Sequence, residues 1–359
     1  MTDSPLKIRP TEACRWDVAA LGEVMLRLDP GEGRVRTARR FDVWEGGGEY
    51  NVARALAKGF GRRAAIVTAL PRNDLGLLVD DLMAQGSVDR RHVVWRDWDG
   101  VGRNTRVGLN FTERGFGVRP AKGTSDRANS AASQLRPDEV DWARLFGAEG
   151  VRWFHTGGIF AALSETCAET ALAAVQVARA HGVIVSFDLN YRASLWSAHA
   201  DPEAARRFGR EIARHVDVMI GDAWGFRQCL GLEVDPGADL DVAAETYARE
   251  FPDVRIVAAT RRRAETAGRN DWAAAAWCDG STVRSTARPG LEVLDRVGGG
   301  DGFVAGLAHA LLDGRDLQAA VEWGAAHGAL AMTTPGDAAM VDAAEVEALV
   351  AGADARSLR

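Results

Sequence analysis

The stretch of this 359-residue chain best suited to chemistry is Gly298-Gly299-Gly300-Asp301, an acid directly behind three glycines. Glycines let a backbone take positive φ and come close to a ligand. The free N–H groups of a helix start then favour an anion, and Phe303, Val304, Leu307, Ala308 and Leu311 recur at the spacing of one helix face. Asp301 at such a start has two readings. It caps the helix, the commoner use of Asp there. Or it takes the proton of a hydroxyl attacking a phosphoryl group held by the amides of Gly298, Gly299 and Gly300.

A second cluster, Glu45-Gly46-Gly47-Gly48-Glu49-Tyr50-Asn51, also opens a helical pattern. Without its third glycine, Gly46-x-Gly48 is a poor dinucleotide fingerprint. It reads either as a turn or as a close backbone approach to a polyhydroxylated ligand, with Asn51 donating and accepting hydrogen bonds. The segment Ser186–Arg192 ends a strand with Asp188, Asn190 and Arg192 along one edge. The Arg192 guanidinium suits a carboxylate or phosphate, because it binds two oxygens at once. There is no GxxxxGK[ST] phosphate loop and no G-x-S-x-G elbow. Cys14, Cys167, Cys229 and Cys278 form no CxxC pair, and the seven histidines show no metal-ligand spacing. No metal-ligating set and no structural zinc are expected.

Alternating strands and helices must position these residues. Strands are expected at 17–22, 63–70, 151–154, 183–189, 216–220 and 254–259. Helices are expected at 51–59, 74–85 with Asp74 as cap, 165–181, 202–214, 239–250, 302–313, 317–332 and 343–352. Residues 234–240 and 264–271 read as loops. Strands separated by helices imply a doubly wound parallel sheet covered on both faces. In residues 91–119, Val93, Val94 and Trp95, and then Arg103 through Phe111, alternate in period two. With residues 23–45 they predict a small antiparallel β piece with one exposed face. The whole chain, 1–359, reads as one domain.

Apolar content of 47% and charged content of 26% are ordinary for a globular protein. The net charge of −6 argues against nucleic acid as a main partner; Arg34, Arg36, Arg39, Arg40 and the run Arg261-Arg262-Arg263 read as solvated surface. Met1-Thr2-Asp3-Ser4-Pro5 carries no basic region followed by an apolar stretch, and no run reaches the length of a membrane span. A cytoplasmic protein without a membrane partner is expected.

Two signatures, Gly46-Gly47-x-x-x-Asn51-x-Ala53 and Val297-Gly298-Gly299-Gly300-Asp301-Gly302-Phe303, resemble those of the ribokinase-like (PfkB) carbohydrate kinases. The resemblance runs from about Val18 to about Asp337. Val151 to Ile159 and Asp188 to Trp196 are most similar to the 2-keto-3-deoxygluconate kinases. It implies a Rossmann-like sheet with a β lid formed by about 23–45 and 91–119, ATP and Mg²⁺ as cofactors, and a small sugar or sugar acid as substrate. It assigns Asp301 as the base and Gly298 to Gly300 as the anion hole. Gly46, Gly47, Asn51, Asn110, Arg127 and Arg192 would bind the sugar, with Arg127 on a sugar-acid carboxylate. Asn190, Asp222, Thr260, His327 and Gly328 would line the nucleotide site. A homodimer through the lid is a further implication.

The chain also departs from the family pattern. Asn110 and Ser125 stand where two tyrosines are usual, and Thr260-Arg261-Arg262-Arg263 replaces Gly-x-x-Gly. Asp222-Ala223-Trp224-Gly225 lacks the glutamate that helps organise Mg²⁺, and Arg296 replaces a small residue or proline. The leading expectation is 2-keto-3-deoxygluconate phosphorylated to its 6-phosphate. A kinase for fructose, ribose or 5-keto-2-deoxygluconate, or a non-catalytic sugar- or nucleotide-binding member, competes with it. An NAD-dependent oxidoreductase is disfavoured by the incomplete fingerprint.

Overall fold

The computed structural model describes residues 5–352; Met1–Ser4, read above for a leader, lie outside them. The chain opens with β1 (Trp16–Leu21), the pair β2 (Met25–Asp29) and β3 (Asp42–Gly46), and helix α1 (Gly48–Arg54). There follow β4 (Ala64–Pro71), α2 (Asp74–Gln85), β5 (Asp89–Arg96), β6 (Leu109–Glu113) and β7 (Lys122–Asp126). Next come β8 (Val151–Gly157), α3 (Gly158–Ala161), α4 (Glu165–Ala180), β9 (Ile184–Asp188), α5 (Ala193–Trp196) and α6 (Ala204–Ala213). After β10 (Val218–Ile220), α7 (Ala223–Leu230) and α8 (Leu240–Glu250), four strands run consecutively: β11 (Ile256–Thr266), β12 (Arg269–Cys278), β13 (Ser281–Arg284) and β14 (Arg288–Glu292). Helices α9 (Gly299–Leu312), α10 (Leu317–Ala331) and α11 (Ala343–Val350) close the chain.

The central sheet has the order β13-β12-β11-β10-β9-β8-β1-β4-β5, with β14 beside β12. From β5 to β11 the pairings are parallel. Every residue of β1, β4 and β8 is buried, as expected for strands with helices on both faces. One face carries α1, α2, α9, α10 and α11; the other carries α4, α6, α7 and α8. The sheet is the doubly wound one the alternation predicts.

The lid is a second sheet, β3-β2-β6-β7. Its hairpins β2–β3 and β6–β7 are antiparallel and meet through a parallel β2–β6 pairing. Its boundaries differ from those expected. Val93, Val94 and Trp95 belong to β5, which pairs in parallel with β4 at the edge of the central sheet. An edge strand is half-exposed, so it alternates just as a lid strand does. Residues 103–107 form no strand beyond an isolated bridge from Arg106 to Ser130. The fourth lid strand, β7, is exposed along its whole length and carries no apolar pattern to find.

Three local expectations change as well. Asn73, not Asp74, caps α2, its side chain accepting the Gly76 N–H at 2.9 Å. Residues 264–271 are the tip of the β11–β12 hairpin, not a free loop. Short helices α5 and α7 follow β9 and β10, where the sequence suggested none.

Candidate active site

The carboxyl ends of the parallel strands face the lid across a cavity of about 650 Å³, where ligands bind in open α/β sheets. Helix α9 points its N-terminus into it. Gly298 is the residue ahead of that helix, with φ +83°, a conformation glycine adopts without penalty. A Cβ there would also collide with the Asp337 carbonyl. The Gly302 N–H bonds back to the Gly298 carbonyl at 2.7 Å, while the amides of Gly298 to Asp301 have no acceptor among the described residues. Gly298 and Gly300 line the cavity; Gly299 packs against Met332 instead.

Asp301 lies in the first turn of α9 and does not cap it. Its Oδ2 accepts a hydrogen bond from Asn51 Nδ2 at 2.7 Å. Burial pushes its pKa up to about 7; Asn51 and Arg192 oppose the rise, and the charges of Asp188 and Asp337 add to it. A carboxylate that titrates near neutrality suits proton abstraction from a hydroxyl. Capping is the commoner use of Asp at a helix start, and the partner that sets this one apart, Asn51, is far away in sequence.

Gly47 lines the cavity because its backbone lies against the Glu23 carbonyl. Gly46 does not reach the cavity: it packs against the Asp337 carboxylate, which a Cβ would displace. Asn110 and Ser125 face the cavity from the lid, hydrogen-bonded to each other at 3.2 Å. Arg127 faces it too, but Nε and Nη2 both donate to Glu23 Oε2, the first at 2.9 Å. Ser130 donates to the other oxygen of Glu23. That leaves Nη1 of Arg127 without an acceptor among the described residues.

Asn190 and Arg192 follow β9 and line the cavity. Asn190 has φ +29° and donates its N–H to Asp188 Oδ1 at 3.1 Å. Asp222 lines it while capping α7 through the Gly225 N–H at 2.8 Å, and Thr260 does so from β11. His327 and Gly328 do not. His327 is wholly buried, its Nδ1 2.6 Å from the Gly302 carbonyl, and burial lowers its pKa to about 4. A Cβ on Gly328 would strike the Gly299 carbonyl and Trp272. Both serve the close packing of α10 on α9, and neither lines this cavity.

The cavity also gathers residues the sequence did not single out as ligands. Glu49 is 4% exposed, its carboxyl in a notch beside Gly22 and Gly157, and burial with the Asp301 charge pushes its pKa up to about 8. Asp188, already a strand-end candidate in the sequence, is pushed up to about 6 by burial, with Asp222 contributing. Glu23, Lys122, Arg262 and Arg296 complete the charged wall. Glu49 lies inside the Glu45–Asn51 cluster, but at two residues from Asn51 it does not share that residue's helix face, so local spacing carried no signal for it. Lys122 sits in a strand with no pattern at all.

A lidded parallel sheet with a carboxylate beside a helix-terminal anion site is an architecture for transferring a phosphoryl group to a hydroxyl. Comparison with known proteins makes it specific: the pattern of the pfkB family carbohydrate kinases matches residues 16–344, and the chain belongs to that family. It is 34% identical over 340 residues to the 2-dehydro-3-deoxygalactonokinase of Haloferax volcanii, covering 94% of this chain and 98% of that one. The solved 2-dehydro-3-deoxygluconokinase of Thermotoga maritima is also 34% identical, with a TM-score of 0.85 over 93% of this chain and 99% of its own. A fructokinase of Xylella fastidiosa, solved with bound ATP, shares the fold at a TM-score of 0.71 and 21% identity, over 94% of this chain and 98% of its own. The protein is a sugar or sugar-acid kinase, and the oxidoreductase alternative is withdrawn. Among the described residues, no helix is long and apolar enough to cross a membrane.

Proposed function

We propose that the enzyme transfers the γ-phosphoryl group of ATP to the 6-hydroxyl of 2-keto-3-deoxygluconate. The observation that carries this reading is Asp301, held by Asn51 at 2.7 Å and beside the unpaired amides of Gly298 to Gly300. Asp301 takes the hydroxyl proton as the oxygen attacks phosphorus, and the amides stabilise charge on the transferring group. The sugar acid lies under the lid, among Asn110, Thr112 and Ser125. Its carboxylate meets Lys122 and the free nitrogen of Arg127, while Glu23 holds the Arg127 fork in place. The relatives named for 2-dehydro-3-deoxy sugar acids support this choice of acceptor.

The donor enters over the ends of β9, β10 and β11. Asp188 and Asp222 each keep one carboxylate oxygen unengaged by the described residues, a donor set that fits Mg²⁺, which takes one or two carboxylates plus phosphate oxygens. Magnesium bound there would neutralise phosphate charge. A coupled ADP-release assay tests the assignment with 2-keto-3-deoxygluconate, 2-keto-3-deoxygalactonate, 5-keto-2-deoxygluconate, gluconate, fructose and ribose. Turnover on 2-keto-3-deoxygluconate that disappears in Asp301→Asn is expected. Preference for the galactonate epimer would change the sugar and keep the mechanism. Turnover on fructose or ribose alone would reject the sugar-acid assignment, and binding without turnover on any sugar would favour the non-catalytic alternative.

A further inference from the structure

Two arginines in the cavity have no partner among the described residues. Arg262 and Arg296 both line it, and neither makes a hydrogen bond or ion pair among the described residues. They come from separate elements. Arg296 sits in the loop two residues ahead of Gly298, so it flanks the N-terminus of α9. Arg262 projects from β11, which outruns its neighbour: β10 ends at Ile220, opposite Ala258. Thr260 and Arg262 therefore extend beyond the end of β10, and both face the cavity, whereas Arg261 and Arg263 do not line it, as strand alternation requires.

Both arginines remain exposed to solvent, and partial desolvation of Arg262 together with the Arg296 charge holds the Arg262 pKa below its usual value. Like charges facing a common space without a counterion are unfavourable until an anion enters. Two features decide which anion. Arg262 comes from β11 and Arg296 from the loop ahead of α9, neither of them a strand of the lid that carries Asn110, Lys122 and Ser125. The pair also carries two charges in planar forks, which match several phosphate oxygens better than one carboxylate.

We propose that Arg262 and Arg296 form a two-sided clamp on the polyphosphate chain of the nucleotide, beyond the phosphoryl group that meets Gly298 to Gly300. The inference rests on the kinase reading for its choice of ligand. Isothermal titration of the full-length protein with ADP, adenosine, inorganic tripolyphosphate and 2-keto-3-deoxygluconate tests it.

Arg262→Ala and Arg296→Ala should each weaken ADP about tenfold, the worth of one charge-assisted hydrogen-bond set. The double variant should lose more, and tripolyphosphate should follow ADP. Adenosine and sugar-acid affinities should stay at wild-type values, which also shows that the variants are folded. Lysine at both positions should recover part of the loss. An ADP affinity unchanged in the double variant would overturn the clamp, as would loss of sugar-acid affinity with ADP intact. Wild-type protein that binds ADP through these arginines yet phosphorylates no sugar would reject the proposed function and leave the clamp standing.

Discussion

At the residue scale, Asp301 sets a direct expectation for pH. Its carboxyl titrates near 7 because burial and two neighbouring acids oppose its charge. As the proton acceptor it must be ionised, so kcat/KM should rise tenfold per pH unit below about 7 and level above it. Asp301→Asn should cost on the order of 10² to 10⁴ in kcat. The same variant should be more stable than wild type at pH 8, because it removes a half-buried charge, and lose that advantage at pH 5, where Asp301 is already neutral. A variant with full turnover would remove Asp301 from the mechanism. Asp301 was legible as a candidate because its glycines precede it in sequence. Its partner Asn51 was legible only as a member of a separate cluster, since sequence does not show which helix starts converge.

At the element scale, the lid is tied to the anion loop through one buried arginine. Arg27 of β2 is 1% exposed, and its Nη1 donates to Asp337 at 2.5 Å. Its Nη2 donates to Asp29 at 3.0 Å and to Asp295, which in turn accepts the Val297 N–H at 3.1 Å. Arg114 makes a second pair with Asp29. Removing the central cation leaves buried carboxylates uncompensated, which costs about 3–5 kcal/mol. Arg27→Met should lower stability by that order in urea unfolding at pH 8, and by less at pH 5, where the freed carboxylates take up protons. An equal loss at both pH values would mean that packing, not charge, makes the defect. Arg27 was invisible as a hub: a single arginine in an apolar strand carries no sign of three acids, two of them more than two hundred residues on. The lid itself was half-legible. The β2–β3 region stood out by interrupting the βα alternation, whereas β7, with its exposed Lys122 to Asp126, looks like a loop.

At the scale of the whole molecule, opposing titrations bound the range of stability. Glu49 and Asp301 have folded pKa values of about 8 and about 7, above their unfolded values. They favour the folded state at lower pH and lose that contribution as pH rises through 7 and 8. His155 and His327 are buried and neutral, with pKa values lowered to about 3 and about 4. Their contribution is present above about 6.5 and falls as pH drops toward those values, because the unfolded imidazoles take up protons first. Asp17, paired with Arg63 and Arg152 and lowered to about 2, adds a further loss below about 4. The melting temperature of the free enzyme should therefore peak near pH 6 and decline by pH 8.5, while turnover has levelled above about pH 7. A melting temperature still climbing at pH 8.5 would contradict the assigned burial of Glu49 and Asp301. The doubly wound sheet was readable from its strand and helix periods. The titration behaviour was not, since it depends on which groups the fold desolvates.

Asp337 touches two glycines that lie far apart in the chain, and it constrains them in different ways. Its side chain occupies the space a methyl group on Gly46 would need, while its backbone carbonyl does the same at Gly298. The first constraint is conditional. Shortening Asp337 to glycine would clear room at position 46, so Gly46→Ala should do less harm in that background than in wild type. The second is unconditional, because no side-chain exchange removes a carbonyl, and the positive φ of Gly298 would strain any other residue. A lineage carrying this fold could thus exchange Gly46 once Asp337 had changed, in that order and not the reverse. Gly298 has no such permissive predecessor.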